Sequence, residues 1–225
     1  MMKNKWMTLL TMLVVFAPLQ AEDGCEDDSA CEYTPFRLLP ASFYFGGLGG
    51  VNFQESSKQT VLSFYEEPLE VKASWNPGYL VGGLLGYRFC NGWQLETEVS
   101  YRNNTIHQFY VNGEGVDISG YNSSISFLLN SYYNFFSVSK FTPYIGLGTG
   151  YSIGRYKVAG DVSGVNFTVE GKDYGLPFQA IGGISYLMQW NTELAIEYRF
   201  FWLHSDFNDH SVALNLKYFF LTEKF

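Results

Sequence analysis

The stretch WLHSDFNDHS, at positions 202–211, contains the residue types that a hydrolase combines. A serine nucleophile needs a neighbouring base and an acid that orients this base. His204 is adjacent to Ser205 and His210 to Ser211, so the members of each pair would point to opposite faces of a strand. The other chemistry open to this stretch is a divalent-cation site formed by His204, Asp206, Asp209 and His210. A flexible loop holds such ligands poorly, and we interpret the stretch as a polar connection.

A second stretch, TPYIGLGTGYSIG at positions 142–154, resembles a glycine-rich phosphate-binding loop. The glycine motif of a dinucleotide-binding site needs a preceding strand, a following helix and an acidic residue about twenty positions later. The residues that follow, RYKVAGDVSGVNFTVEG, are strand-like and rich in turn formers. Glycine recurs here at every second position, so these glycines share one face of a strand. We therefore expect no phosphate site.

Alternation of apolar and polar residues dominates the chain beyond position 21. In LAIEYRF, at 194–200, Leu, Ile, Tyr and Phe alternate with Ala, Glu and Arg. This period of two is typical of a strand with one apolar face. Most alternating segments are about ten residues long, the length that a tilted strand needs to cross a bilayer. We count eight of them, at 42–53, 78–89, 93–102, 122–135, 143–153, 178–187, 194–201 and 211–220.

Short and long connections alternate between these segments. The short ones lie at 90–92, 136–142 and 188–192, and the longer ones at 54–77, 103–121, 154–177 and 202–210. Transmembrane barrels have short periplasmic turns and long outer loops, whereas sandwiches with Greek-key crossings lack this rhythm. The sequence therefore predicts an all-β protein, an eight-stranded antiparallel up-and-down transmembrane β-barrel at 42–225, with short periplasmic turns and long outer loops.

The first 21 residues have the organisation of a secretory signal peptide. Lys3 and Lys5 precede an apolar run at 6–18 that is shorter than the roughly 20 residues of a spanning helix, and the small Ala21 follows. Loss of the two lysines changes the formal net charge from −8 to −10. Six acidic residues lie at 22–32, within the periplasmic segment predicted at 22–41. So acidic a chain argues against nucleic acid as a partner.

Three cysteines lie on the predicted periplasmic side, where disulfides persist. Cys25 and Cys31 enclose five residues and are the candidate disulfide, and Cys90 lies in the turn at 90–92. An odd count leaves one thiol over. Cys90 is therefore either idle or cross-linked to a neighbour in the envelope.

The polar faces of the predicted strands point into the lumen of the barrel and bring charges of both signs together. Arg88 and Glu96 are expected to be near neighbours across the turn at 90–92. Inward glycines would make room for large inward side chains in a lumen this narrow. The candidate lumen network is Arg88, Glu96, Glu98, Arg102, Glu197, Arg199 and Lys217. Such a network is either an ion pathway or a salt-bridged plug, and we favour the plug because confined charges are tolerated when paired.

Several motifs carry a resemblance to a known family. LLGYRFCNGWQLETEVSYR, TPYIGLGTGYS, LAIEYRFF and HSVALNLKYFF are similar to segments of the OmpA-like outer-membrane barrels, most closely the opacity-type and surface-antigen branch. The resemblance covers the chain from about residue 42. Such barrels end on the aromatic residue of the last strand, as Phe220 would, but LTEKF follows and Phe225 is also aromatic. The resemblance implies a location in the bacterial outer membrane.

Two classes of function follow from this resemblance. The first is a non-enzymatic surface protein, such as a surface antigen or adhesin, which contacts outer-membrane lipid and meets host surface molecules through its outer loops. The second is an enzyme that modifies membrane lipid, and a small pore is a third option. Some outer-membrane barrels deacylate lipid A with a His-x-Ser-Asn motif on a lipid-facing strand, a spacing that this sequence does not contain. We expect the first class, with no catalytic residue, metal or cofactor.

Overall fold

The computed structural model describes residues 41–55, 57–62, 68–111, 114–116, 118–135, 139–162, 165–189, 191–203 and 207–220. The predicted signal peptide, residues 22–40 of the predicted acidic segment, the pair Cys25 and Cys31, and Phe225 lie outside the described residues. The same holds for His204, Ser205 and Asp206. No helix that could cross a membrane occurs in the part of the chain that is described.

All of the secondary-structure elements formed by the described residues are β-strands. They are β1 (Ser42–Gln54), β2 (Ser57–Leu62), β3 (Pro68–Trp75), β4 (Gly78–Arg88), β5 (Trp93–Val111), β6 (Glu114–Val116), β7 (Ile118–Asn134), β8 (Phe141–Val162), β9 (Val165–Gly175), β10 (Phe178–Gln189), β11 (Thr192–Leu203) and β12 (Phe207–Phe219).

Eight of these strands form a closed antiparallel barrel in the order β1-β4-β5-β7-β8-β10-β11-β12. The barrel closes because β12 pairs with β1, from Tyr44 opposite Phe219 to Gln54 opposite Asp209. Beyond β12, the N–H of Phe220 donates to the carbonyl oxygen of Phe43 at 2.8 Å. The predicted eight-stranded up-and-down barrel is confirmed, and every strand edge in the closed wall is paired.

The remaining strands lengthen one end of the barrel, which we call the extended end. There β2 pairs with β3, β3 and β6 pair with β5, and β9 pairs with β8. The ranges 54–77, 103–121 and 154–177, expected to be loops, are therefore largely strand. Their sequences hide this because a period of two marks a strand only where one of its faces is apolar.

The opposite end, which we call the short-turn end, connects neighbouring strands tightly. Between β4 and β5 the N–H of Phe89 donates to the carbonyl oxygen of Trp93 at 2.8 Å, and Gly92 has a φ of 87°. This left-handed conformation suits glycine because it has no Cβ. Cys90 lies in this turn and is partly exposed. The turn sets Arg88 opposite Gln94 and so fixes the register of the β4–β5 pair.

Candidate functional site: the polar lumen and the apolar outer wall

The outer wall of the barrel is an apolar band. Side chains at alternate positions of every barrel strand are exposed although they are apolar, with Leu147 at 71 %, Leu85 at 63 % and Ile196 at 60 %. A soluble protein rarely exposes a continuous patch of this kind. The middle of the band is mainly aliphatic and includes Val81, Leu85, Leu95, Val99, Ile125, Leu129, Ile145, Leu147, Ile184, Ile196, Val212, Leu214 and Leu216.

Aromatic rings border this band at both ends. At the short-turn end, neighbouring rings pack within about 6 Å of one another, as in Phe43–Tyr87 at 4.7 Å and Phe141–Tyr186 at 4.9 Å. At the extended end, Tyr79–Tyr101, Tyr151–Tyr174 and Phe178–Trp202 form the second border. On β1, Phe43 and Phe53 are ten positions apart, about 33 Å of strand or about 25 Å once the strand tilts by roughly 40°. This is the height of the lipid-facing band of a membrane barrel.

The interior of the barrel is polar and charged. The even-numbered positions of β5 and the odd-numbered positions of β11 point inward, which buries Glu96, Glu98 and Arg102 together with Glu197 and Arg199 at 1 % exposure or less. Arg88 and Lys217 are buried at 3 % and 2 %. All seven residues of the candidate network therefore lie inside. Buried charges of this kind need partners.

Arg199 is the centre of the network. Its Nε donates to Oε2 of Glu197 and its Nη1 to Oε2 of Glu98, both at 2.7 Å, and all three side chains are fully buried. Tyr144 Oη and Asn215 Nδ2 donate to Oε1 of Glu197 at 2.6 and 2.9 Å. In the strand order of the barrel, β5 and β11 are four strands apart of eight. The Glu98–Arg199 ion pair therefore spans the full diameter of the lumen.

A second layer, nearer to the short-turn end, is built around Glu96. Lys217 Nζ lies 3.2 Å from Oε2 of Glu96, and the hydroxyl groups of Tyr44 and Tyr132 donate to this carboxylate at 2.9 and 2.7 Å. The Lys217 ammonium also lies 4.9 Å from the centroid of the Tyr132 ring, within cation–π range. Glu96 thus ties four strands together through one buried carboxylate.

Arg88 is paired differently from the expectation that Glu96 would be its neighbour across the turn. Its Nη2 donates to Oε2 of Glu193 on β11 at 2.7 Å, and its guanidinium lies 4.1 Å from the centroid of Phe219. The turn places Gln94 opposite Arg88, while Glu96 is opposite Gly86 and is engaged by Lys217. Glu96 is thus the next inward position along β5 after Gln94, but the ion-pair partner of Arg88 comes from β11 instead.

Arg102 lies toward the extended end of the lumen and has fewer contacts. Its Nη1 donates to Ser100 Oγ at 3.2 Å, and its guanidinium lies 4.0 Å from the centroid of the Phe201 ring. Beyond it, Asn52 and Asn104 hydrogen-bond to each other at 2.6 Å, and Ser211 Oγ donates to Asn52 Oδ1 at 2.6 Å. At this end of the lumen neutral polar side chains therefore form hydrogen bonds beside the buried Arg102 and Asp209.

The sequence interpretation missed two buried acids, Glu193 and Asp209. Glu193 falls between the turn predicted at 188–192 and the strand predicted at 194–201, and Asp209 falls in the connection predicted at 202–210, although β11 begins at Thr192 and β12 at Phe207. Their position in the alternation could have revealed them. Glu193 is in phase with the inward Ala195 and Glu197, and Asp209 is in phase with the inward Ser211.

The glycines of the stretch 142–154 line the inner face of β8, as predicted. A Cβ at Gly146 would meet the Tyr132 ring, and one at Gly148 would meet Asn130 Oδ1. Both neighbours are on β7, the adjacent strand, rather than across the barrel. Glycine here makes room for side chains of the network, since Tyr132 and Asn130 both donate to its acids.

In the stretch WLHSDFNDHS, the described residues do not form a hydrolase site. His210 faces outward, where its Nδ1 is 2.5 Å from Tyr198 Oη and its Nε2 is 3.0 Å from Glu55 Oε1, whereas Ser211 faces the lumen. Asp209 also faces inward, so it and His210 cannot share one ion, and within the described ranges no group of three acidic, His or Cys ligands occurs.

The contact with His210 has a consequence for the titration of Glu55, which lies beyond the apolar band. The hydrogen bond with His210, helped by the one from Asn208, lowers the pKa of Glu55. Because this pKa is lower in the folded state than in the unfolded chain, the stabilisation by Glu55 is present above the unfolded pKa. It is lost as the pH falls through the folded pKa.

A closed barrel with an apolar, aromatic-bordered wall and a polar interior is a membrane barrel of the bacterial outer-membrane type. Residues 9–220 match the family described as the outer membrane protein beta-barrel domain, and the chain belongs to this family. The predicted membership among small outer-membrane barrels is thereby confirmed. No curated protein sequence matches the chain.

Solved structures of three barrels are similar to this fold. OprG from Pseudomonas aeruginosa has a TM-score of 0.51 at 13 % identity, over 80 % of this chain and 96 % of OprG. Neisserial surface protein A has a TM-score of 0.47 at 17 % identity, over 80 % of this chain and 99 % of its own. Ail of Yersinia pestis, in complex with the heparin analogue sucrose octasulfate, has a TM-score of 0.44 at 15 % identity, over the same shares. At these identities the likeness to OprG shows the fold alone.

Proposed function

We propose that the protein is a non-enzymatic surface protein of the outer membrane, with a lumen closed by its own side chains. The extended end, with its paired strands β2–β3, β5–β6 and β8–β9, faces outward and presents a surface to host molecules, as a surface antigen or adhesin does. The observation that favours this proposal is the pair of buried charged layers around Arg199 and Glu96, which cross the lumen between opposing strands. In an eight-stranded barrel the interior is just wide enough for side chains to fill it.

Among the described residues, no contact favours the alternative of a lipid-modifying enzyme. The one described base on the lipid-facing side of the 202–211 stretch, His210, is engaged on both ring nitrogens by Tyr198 and Glu55. Ser211, the adjacent nucleophile candidate, lies on the other face of the strand and donates to Asn52. A base and nucleophile separated by the barrel wall cannot exchange a proton directly.

Planar-bilayer recordings test the closed lumen. The refolded protein should show little or no stable conductance, because ion pairs cross the lumen at two levels. In the double variant Glu96→Ala/Glu98→Ala, each layer loses the acid that β5 contributes, and an ion-conducting state should appear. The matched control is Glu170→Ala, which removes an exposed acid on β9 and should leave the recordings unchanged. A large, steady conductance of the unmodified protein would contradict the closed lumen and favour a small pore.

Epitope insertion tests the orientation. A tag placed between Val111 and Glu114, or between Val162 and Val165, should bind antibody on intact cells, because the extended end faces outward. The control is the same tag at Ser139 and Lys140 in the connection before β8, at the short-turn end, which should be labelled only after the outer membrane is ruptured. The reverse labelling pattern would mean that the short-turn end, rather than the extended end, faces outward.

The N-terminal region belongs to the same proposal. We propose that residues 1–21 are removed as a signal peptide and that 22–41 remain in the periplasm, on the grounds of the charge and apolar patterns alone. Cys25 and Cys31 remain the candidate disulfide. Cys90, on the partly exposed turn before β5, remains the candidate for a cross-link to an envelope neighbour, because the cysteine count is odd.

A further inference from the structure

The outer wall at the extended end carries three rows of side chains across strands β5, β7, β8 and β9. The register places Tyr101, Ile125, Ile153 and Tyr174 in the first row, which continues the apolar band. The second row lies two residues farther along each strand, away from the band, and consists of Asn103, Ser123, Arg155 and Lys172. The third row consists of Thr105, Tyr121, Lys157 and Glu170. The wall therefore changes from apolar to cationic within one step.

The second row contains two cations that lie directly opposite each other, Arg155 on β8 and Lys172 on β9. Like charges in such a cross-strand pair destabilise a sheet. Lys157, in the next row, is neutralised by Glu170 at 2.7 Å, whereas no described acid forms an ion pair with Arg155 or Lys172. Both side chains are exposed. The chain as a whole has a formal charge of −8, so this local excess of positive charge is unusual, and it favours the binding of an anion.

A pocket of about 610 Å³ lies on the same wall. Arg155 is one of its lining residues, whereas Lys172 lies outside the lining, directly opposite Arg155 on β9. Ser123 lies at its centre in the register, between Asn103 and Arg155, and larger side chains flank it in the rows above and below. Its lining combines a guanidinium, hydroxyl and amide groups with the apolar side chains of the first row. The volume is in the range of sites that hold a small molecule or a headgroup.

We propose that this pocket binds the phosphate-bearing sugar headgroup of a membrane glycolipid. Arg155 and Lys172 hold the phosphate, Asn103, Ser123 and Tyr121 hydrogen-bond to the sugar, and the acyl chains lie along the apolar first row. The guanidinium of Arg155 suits this role because its planar donors match phosphate oxygens in pairs.

The position of the pocket favours a lipid over a soluble anion. Tyr151 and Tyr174 stack at 6.4 Å in the aromatic border, and Ile153 opposite Tyr174 precedes Arg155 by two residues, about one outward step. The cations therefore lie at the level of the headgroups, directly above the hydrocarbon. A soluble polyanion would make no favourable contact with the apolar first row. An amphiphile can contact the apolar first row with its acyl chains and the cationic second row with its headgroup.

Lipid titration of the refolded full chain in detergent micelles tests this site, with native mass spectrometry counting bound lipid. The probes are lipid A with both phosphates and the same lipid with its phosphates removed. We expect one phosphorylated lipid to bind, and the dephosphorylated form to bind at least about tenfold more weakly, since hydrogen bonds to charged groups are lost. The double variant Arg155→Gln/Lys172→Gln should bind the phosphorylated lipid more weakly than the unmodified protein does, by roughly the same factor.

Two controls separate this site from general electrostatic attraction. Lys140→Gln removes an exposed cation before β8, at the short-turn end, and Lys157→Gln/Glu170→Gln removes both members of a neighbouring ion pair without changing the net charge, so neither should change the affinity appreciably. Equal binding to the double variant and the unmodified protein would overturn the proposal. So would sucrose octasulfate displacing the lipid at comparable concentration, since the site would then take soluble polyanions. The micelle assay is independent of orientation, so its failure is distinct from failure of the proposed function.

Discussion

Replacing Arg199 by alanine should lower the free energy of unfolding by about 3–5 kcal/mol, the usual cost of removing one partner from a buried ion pair. The variant loses both 2.7 Å contacts and leaves Glu98 and Glu197 with uncompensated charge at 0 % side-chain exposure. The measurement is urea unfolding of the refolded protein in micelles or vesicles, followed by the difference in gel mobility between unheated and heated samples.

A compensated variant distinguishes lost charge balance from lost volume. In Glu98→Gln/Glu197→Gln/Arg199→Met, all three charges are removed while the side chains keep similar sizes. Replacing a whole buried charge cluster by neutral groups is often nearly neutral for stability, so most of the loss should be recovered. If Arg199→Ala changes stability by no more than a surface substitution does, about 0.5 kcal/mol, then Arg199 is not the centre that its contacts indicate.

Replacing Gly150 by alanine should cost about 1–3 kcal/mol, the range for overpacking a filled interior. A Cβ at this position of β8 would meet the carbonyl oxygen of Phe127 and lie 2.8 Å from Leu128 Cα. Both atoms belong to the backbone of β7, which cannot move without breaking the β7–β8 hydrogen bonds. The same unfolding measurement applies.

The matched control is Gly49→Ala on β1, where the added Cβ has nothing within 4 Å and points to the outer wall. This substitution should be neutral, or stabilising by about 0.4–1 kcal/mol, because it reduces the conformational freedom of the unfolded chain. Equal destabilisation by both substitutions would mean that glycine matters for its backbone rather than for the space that it leaves.

These predictions rest partly on features that the sequence alone revealed. The period of two located all eight barrel strands, and it assigned each side chain to the inner or the outer face. Glu98, Arg199 and the glycines of β8 were placed inside on this ground, where they lie. Facing is a local property, because successive Cβ atoms of any strand alternate between faces whatever its partners are.

The strands beyond the apolar band were not predicted, for a related reason. Residues 103–111 and 154–162 continue β5 and β8 but show no clear alternation. Outside the band both faces of a hairpin can meet water, so selection for one apolar face is absent. Only the paired backbones, β5 with β3 and β8 with β9, show that these segments are strands.

The sequence by itself therefore determined the number of barrel strands and which charges face the lumen. The tertiary structure alone decided which charges pair, since Arg88 binds Glu193 rather than Glu96, and Glu98 binds Arg199 across the diameter. The same holds for the row that places Arg155 opposite Lys172. The physical reason is that partners across a barrel depend on the turn registers, on the strand tilt and on closure of β12 against β1, which no local pattern encodes.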